Sequence, residues 1–394
     1  IRVPNVLEAF HVLAAHHRDN YTGKVVAIIG SNGKTWVKEW LYMLMYRDLS
    51  VYRSPGSYNS QVGVPLSVWN IPLETSYAII EAGISSPGEM IKLQKIIRPD
   101  IVVFTHFGDA HDEGFGGDIH AKLSEKLIMC ADATSIVFPH DQPLVYDTIR
   151  KSFPDKFQFT WSMHGLGLIN GSAEKVGDVS NVTVQLEDKQ YTYNLPFTGI
   201  VPVSNSLVCL TTFVALGIPI EGRLKAFEDL QPIDMRLKAE DGIQGCVLIN
   251  DSYSLDLDSL QYALESLDIA GQTQQKTLIL SDHAYGRPGI YEDLARMISG
   301  AGVDKLICIG KEVSALTQLL PSTIKTFAYQ DVDEMLRLGA IADFNNEVVL
   351  LKGARRFGFE RIARRLRLRS HSAVLHVDFG ALDNNLRYFY RKIK

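Results

Sequence analysis

One junction near the start of the chain limits what it can fold into more than any other feature. Residues 25–29, Val-Val-Ala-Ile-Ile, are continuously apolar, Gly30-Ser31-Asn32-Gly33-Lys34-Thr35 follows at once, and apolar side chains then recur at helical spacing over 36–46. A short apolar run closed by glycine reads as a buried strand, and the periodic stretch reads as a helix, so the junction is strand, glycine loop, helix. Such a loop turns backbone amides toward an anion at the positive end of a helix. Lys34 adds a point charge for the β- and γ-phosphates, and the Thr35 hydroxyl can ligate magnesium. ATP binding through Gly30, Ser31, Asn32, Gly33, Lys34 and Thr35 is the direct expectation. Five residues before Gly33, where a further glycine is usual, the chain has Ile28, so the loop is a shortened form.

The rest of the sequence repeats the alternation. Apolar runs at 77–81, 101–105 and 135–138 are separated by helix-like segments such as 90–97 and 121–130. This predicts an α/β fold, a largely parallel sheet with helices on both faces. From 157 to 196 the pattern changes to Gly, Ser and strict alternation (Val182-Thr-Val-Gln-Leu, Tyr191-Thr-Tyr-Asn-Leu), which predicts a small antiparallel insertion. A helix over 204–216 follows, and Pro232 marks a boundary. A second, Rossmann-like α/β unit is expected beyond it, with strands at 247–250, 276–280, 305–309 and 347–351 and a helix over 359–368. The domain reading is a lead-in helix and linker at 1–22, a P-loop ATPase-like central domain at 23–232, a second α/β domain at 233–370, and the start of a further domain at 371–394.

Composition excludes several classes. Forty Lys and Arg against 45 Asp and Glu leave a net charge of -5, without the basic excess of a dedicated nucleic-acid binder. The arginine-rich stretch from 355 to 369 carries periodic Phe357, Ile362 and Leu366 and reads as an amphipathic helix. The longest apolar stretch, 207–220, is broken by Thr211, Thr212, Gly217 and Pro219 and falls short of a membrane span, and the opening residues lack a signal-peptide pattern. Cys130, Cys209, Cys246 and Cys308 form no CxxC pair, which argues against a zinc ribbon or a disulfide framework and fits the cytoplasm.

Taken with Asn59-Ser-Gln-Val-Gly-Val-Pro65, Glu81-Ala-Gly, His111-Asp-Glu-Gly-Phe-Gly116, Asn205, Asp251-Ser-Tyr253 and Lys352-Gly-Ala-Arg355, the loop belongs to an ordered set that resembles the Mur ligases over residues 5–368. The likeness is greatest to members that add D-alanyl-D-alanine to a UDP-N-acetylmuramoyl tripeptide. It implies an ATP- and magnesium-dependent amide ligase of peptidoglycan precursor synthesis, working through an acyl phosphate. The family's first domain, which holds the UDP end, would precede residue 1. The tail Val374-Leu-His-Val-Asp-Phe-Gly-Ala-Leu-Asp-Asn-Asn-Leu386 resembles the opening of alanine racemases and implies a covalently linked racemase domain in the parent protein. The pyridoxal phosphate lysine of that family would lie beyond Lys394, so neither that cofactor nor racemisation is expected here. Two rivals are another ligase of this fold, of folylpolyglutamate type for example, and a non-catalytic nucleotide-binding module scaffolding a racemase. Val201, Ser254, Asp256 and Ala354 depart from the family pattern and motivate the second rival, whereas a scaffold has no need of Lys34, Glu81, His111 and Lys126.

Residue roles follow from the resemblance. Glu81 closes an apolar strand, where a lone charge is costly and a hard cation would suit it; capping a helix is the other reading. By resemblance Glu81 is a metal ligand with Thr35, and His111 is the second-metal histidine, with His106 and His120 as rivals. Lys126, in Lys126-Leu-Ile-Met-Cys130, matches a lysine carbamylated to a carboxylate-like magnesium ligand, and Lys122 is an imperfect competitor. Asn205, placed at the opening of the 204–216 helix, matches an adenine-reading asparagine, and Arg236 matches an arginine that reaches the nucleotide. Asp251 and Tyr253 match ribose and phosphate contacts, while Lys352 and Arg355 match a turn at the nucleotide and peptide cleft. Trp36 is expected to pack behind the site. The loop from Asp282 to Arg287 reads equally as a D-alanyl-D-alanine contact or as ordinary surface.

Overall fold

The computed structural model describes residues 2–108, 112–231, 239–252, 257–271, 274–282 and 289–368. Helix α1 (Val6–Asp19) leads in, its first turn capped by the Asn5 side chain, which accepts from the amides of Leu7 and Glu8. There follow β1 (Lys24–Ile29), α2 (Lys34–Met45), β2 (Val51–Arg53), α3 (Gly63–Trp69), β3 (Tyr77–Glu81), α4 (Met90–Ile97), β4 (Ile101–Phe104) and α5 (Ile119–Leu127). The unit continues through β5 (Ser135–Pro139), α6 (Pro143–Ser152), β6 (Phe157–Ser162), β7 (Ile169–Val176), β8 (Val179–Leu186), β9 (Lys189–Leu195) and α7 (Ile200–Leu216). Its nine strands lie in the order β2-β3-β1-β4-β5-β6-β7-β8-β9.

The position of β1 near the centre explains its unbroken apolar run. Val26 and Ile28 face a core built with Val37, Trp40 and Leu41 of α2 and Leu207 and Phe213 of α7. Val25, Ala27 and Ile29 face the opposite core, with Ala14 of α1, Val64 of α3 and Leu93 of α4. A strand covered on both sides has no solvent face and hence no polar alternation. The antiparallel segment begins later than expected. β6 pairs in parallel with β5 and β7 in parallel with β6, and the antiparallel strands β7, β8 and β9 extend the same sheet. Alternation arises there because α7 covers one face only: Val182 and Val184 are buried against it, while Thr183 and Gln185 point away.

Helix α7 begins four residues earlier than the sequence suggests. Gly199, at φ 100°, turns the chain into it, and Pro202 sits in the first turn, where its missing N–H breaks no helical bond. The hydroxyls that interrupt its apolar run bond to the helix itself, Thr211 to the Leu207 carbonyl and Thr212 to that of Val208, both at 2.7 Å. Among the described residues, no helix is long and apolar enough to cross a membrane.

The second sheet contains β10 (Ala239–Asp241), β11 (Val247–Asp251), β12 (Gln275–Ser281), β13 (Lys305–Ile309), β14 (Lys325–Tyr329) and β15 (Glu347–Lys352), in the order β10-β11-β15-β12-β13-β14. All its neighbours are parallel except β10 and β11. Its helices are α8 (Leu257–Ala270), α9 (Ile290–Gly300), α10 (Leu316–Leu319), α11 (Val332–Arg337) and α12 (Glu360–Leu366). Leu278, Leu280, Val348 and Leu350 fill one core and Ile279, Val349 and Leu351 the other. The arginine run is amphipathic as expected, with Ile362, Ala363 and Leu366 inward and Arg361, Arg364 and Arg365 outward on α12. The racemase-like tail, 371–394, lies outside the described residues.

Asp282 has a structural assignment within the expected peptide-contact loop. Its carboxylate accepts the amides of Lys311, Glu312 and Val313 at 2.7 to 3.0 Å and so caps the 3-10 turn Val313–Ala315. Residues 283–288 lie outside the description. Removing one capping side chain with several amide partners costs about 1–2 kcal/mol. Urea unfolding of Asp282→Ala is expected to show that loss; an unchanged midpoint would reject the capping role.

Candidate nucleotide and metal site

The glycine loop stands between the C-terminal end of β1 and the start of α2, and it is pinned from the neighbouring strand. The His106 carbonyl accepts the Ser31 amide at 2.6 Å, and the Thr105 hydroxyl donates to the carbonyls of Ile29 (3.1 Å) and Asn32 (2.5 Å). Helix α2 starts on Gly33 at φ 80°, a residue with no side chain to cap the first turn. A Cβ at Gly33 would stand 2.7 Å from Oδ1 of Asn205. Gly33→Ala therefore combines a left-handed backbone with a close contact. It is expected to cost about 1–2 kcal/mol in thermal or urea unfolding and to weaken ATP binding measured by calorimetry; unaltered affinity would count against the loop as the binding element.

Lys34, Lys38, Lys126, Glu39 and Glu81 are all buried here. The Lys34 ammonium donates to the carbonyls of Gly30 (2.9 Å) and Ser31 (2.8 Å), and Lys126 donates to the same Gly30 oxygen at 3.0 Å. Two cations sharing one neutral acceptor repel each other and favour an anion nearby. Glu81, at the end of β3, is 0% exposed; it accepts from the Thr35 hydroxyl at 3.0 Å and from Nδ2 of Asn59 at 2.7 Å. The third cation, Lys38, is also fully buried, 3.7 Å from Glu81 and 3.1 Å from Glu39. Glu81 thus caps no helix; it is a buried carboxylate held among donors.

Neither rival lysine of α5 is an ordinary solvated side chain. Lys122 and Lys126 are both about 1% exposed, Lys122 donating to the Gly108 carbonyl at 2.6 Å and lying 4.7 Å above the Phe107 ring. Of the histidines, His111 lies outside the described residues, His120 is exposed, and His106 meets Nε2 of Gln142 at 3.1 Å. Asn205 lies in the second turn of α7, not at its opening, and is 5% exposed beside Gly33 with its amide nitrogen unpartnered. An orphaned donor against the loop suits a nucleotide group that accepts. Trp36 packs behind the loop, edge-on to Trp40 and Phe197. A cavity of about 280 Å³ opens beside Lys34, Asn59, Gln61 and Ser85.

The two described nucleotide candidates of the second sheet meet each other. Asp251 and Lys352 are register partners at the C-terminal ends of β11 and β15, and their side chains form a buried ion pair at 2.5 Å. Arg236 and Tyr253 lie outside the description, as does the Arg355 side chain. Burial pushes the Cys130 and Cys308 thiols up to about 12, and all four cysteines are free and buried, which argues against a cysteine nucleophile.

Thr35 and Glu81 offer adjacent hard oxygen donors. Magnesium commonly takes one or two such protein ligands and fills its other positions with phosphate and water, so this donor set fits it. Among the described residues, no group of three or more His, Cys, Asp or Glu side chains gathers as a closed metal cage. Lys38 and Asn59 were not singled out individually from the sequence. The available signal for Lys38 was its place four residues after Lys34, on the same helix face, where a second cation calls for a counter-charge.

The Mur ligase middle domain matches residues 28–213, from the end of β1 through most of α7. The UDP-N-acetylmuramoyl-tripeptide--D-alanyl-D-alanine ligase of Bacillus subtilis is 24% identical over 378 residues, spanning 93% of this chain and 80% of that protein. The Escherichia coli ligase of the same name is also 24% identical, over 91% of this chain and 80% of its own length. Among solved structures, MurF from Acinetobacter baumannii superposes with a TM-score of 0.78 at 22% identity, covering 93% of this chain and 81% of that chain. MurF from Thermotoga maritima in complex with ADP gives 0.75 at 22% identity, with 93% and 84% covered.

Proposed function

We propose that this protein is a Mur ligase that joins D-alanyl-D-alanine to a UDP-N-acetylmuramoyl tripeptide with cleavage of ATP to ADP and phosphate. The observation that carries the reading is the glycine loop at the start of α2, with the Lys34 and Lys126 ammoniums on one carbonyl and the Thr35 hydroxyl on a buried Glu81. The names of its relatives supply the substrates.

The terminal carboxylate of the tripeptide attacks the γ-phosphorus of ATP and ADP leaves. The free amine of D-alanyl-D-alanine then attacks the acyl carbon, phosphate departs with the C–O electrons, and the amine loses a proton. Positioning and neutralised charge lower both barriers, with no protein nucleophile. Lys34 neutralises the transferring phosphoryl group; Thr35 and Glu81 would hold magnesium, with His111 and Lys126, the latter once carbamylated, as further ligands. When bound, magnesium would supply Lewis-acid neutralisation of the phosphates. Gly30, Ser31, Asn32 and Gly33 cradle the phosphates and Asn205 reads the base. Arg236, Asp251, Tyr253, Lys352 and Arg355 are the candidates on the second unit, and the domain limits are 23–232 and 233–370. The stretch from 374 to 386 supports a parent in which the ligase is linked to an alanine racemase, and free cysteines support a cytoplasmic setting.

The test is phosphate release by the full-length protein with ATP and magnesium. Release that requires both the UDP-muramoyl tripeptide and D-alanyl-D-alanine supports the ligase. ATP binding without acceptor-dependent release rejects it in favour of a nucleotide-binding scaffold, and release driven by a different acid and amine points to another ligase of the fold.

A further inference from the structure

Lys38 has no role in the reading above, yet it is among the most completely enclosed charged side chains of the first unit. It is 0% exposed on α2, one turn beyond Lys34. Its ammonium lies 3.7 Å from Oε2 of Glu81, the same oxygen that accepts from Thr35, and 3.1 Å from Oε1 of Glu39. It also donates to the Gly56 carbonyl. Glu39 has a second cation of its own, Arg53, at 2.6 Å, with that guanidinium 3.8 Å from the centre of the Tyr42 ring. Glu39 is therefore charge-balanced without Lys38, whereas among the described residues the hydrogen bonds to the Glu81 carboxylate come from the neutral Thr35 and Asn59 and its ion pair from Lys38. A carboxylate at full burial needs a counter-charge.

We infer that Lys38 is a resident counter-cation for Glu81, a positioning residue that holds the carboxylate aimed while no divalent metal is present and yields that oxygen when a metal arrives. The inference rests on Glu81 being a metal ligand. Glu39 and the Gly56 carbonyl keep the ammonium satisfied after it gives up Glu81, so the exchange leaves no bare charge. Two consequences follow. The empty site is stable, and the metal binds more weakly than it would to an unpaired Glu81, because it must displace or share the field of a cation already there. Divalent cation occupancy is thereby tied to the nucleotide, whose phosphates supply the negative charge needed to hold both cations.

The experiment is thermal melting of the full-length protein with ADP present throughout and MgCl2 titrated, for the wild type, Lys38→Met, Glu81→Gln and the double variant. In Lys38→Met the melting temperature without magnesium is expected to fall, magnesium is expected to restore most of the loss, and the titration midpoint is expected to shift to about tenfold lower magnesium. The double variant, with both charges gone, is expected to melt higher than Lys38→Met without metal and to respond to magnesium no more than Glu81→Gln. A Lys38→Met protein whose midpoint and magnesium-induced shift equal those of the wild type overturns the inference while leaving Glu81 as a ligand. A Glu81→Gln protein that responds to magnesium like the wild type overturns the metal reading and this inference with it. Should Lys38→Met fail to fold, recovery in the double variant supports the counter-charge role, and failure of the double variant as well assigns Lys38 to packing and rejects it.

Discussion

Lys34→Ala is expected to lower substrate-dependent phosphate release by roughly a thousandfold, the scale on which removing one preorganised charge from a transition state acts. Lys34 is 8% exposed, and its ammonium donates to two carbonyls of its own loop, Gly30 and Ser31. It is therefore held at the mouth of α2 before any nucleotide binds, and little reorganisation is needed when a phosphate takes over its hydrogen bonds. The same geometry predicts a small change in folding stability. While Lys126 is an uncarbamylated ammonium it converges with Lys34 on one oxygen, so deleting Lys34 then removes a repulsion as well as two hydrogen bonds. Phosphate release and thermal melting together check the prediction: a large loss of rate with a nearly unchanged melting temperature supports it. Retained acceptor-dependent release in the variant would place the chemistry away from this loop.

The part of the fold legible in the sequence was the part whose pattern is dictated by burial. β1 sits between two cores and reads as an unbroken apolar run, and α4 was expected over its observed span because Leu93, Ile96 and Ile97 recur at helical spacing above a core. The edge strand β14 was missed. Its residues Lys-Thr-Phe-Ala-Tyr are exposed or half-exposed throughout, so burial imposes no pattern on them. The start of α7 was missed because Pro202 looks like a helix breaker, and only the first-turn geometry after Gly199 makes it harmless. At the site, the phosphate loop was legible because the chemistry needs contiguous residues. Partners brought together across the sheet were not: Asn59 and Glu81 are 22 positions apart, and Asp251 and Lys352 are 101 apart. Their pairing is a property of strand order. The resemblance assigned Asp251 and Lys352 separately to a ligand, and their contact with each other is legible only in the structure.

That pair carries the other large expectation. Lys352 is 0% exposed and Asp251 6%, and the ion pair joins the C-terminal ends of adjacent parallel strands. Lys352→Met would leave a buried carboxylate with its cation gone, a loss of about 3–5 kcal/mol. Urea unfolding is expected to show that loss in the transition of the second sheet. Asp251→Asn combined with Lys352→Met is expected to recover most of it, since neither charge then remains to be desolvated and a methionine fills the volume of the lysine stem. The C-terminal edge of a parallel sheet is also where ligands of α/β folds bind, so the pair can serve both stability and the nucleotide. The two measurements separate those roles. A Lys352→Met protein of wild-type stability with weakened ATP binding would mean that the ammonium belongs to the ligand and that its contact with Asp251 adds nothing. Recovery of stability in the double variant without recovery of ATP affinity would mean that the pair holds the end of β15 in place and that Lys352, once anchored there by Asp251, is also what the nucleotide meets.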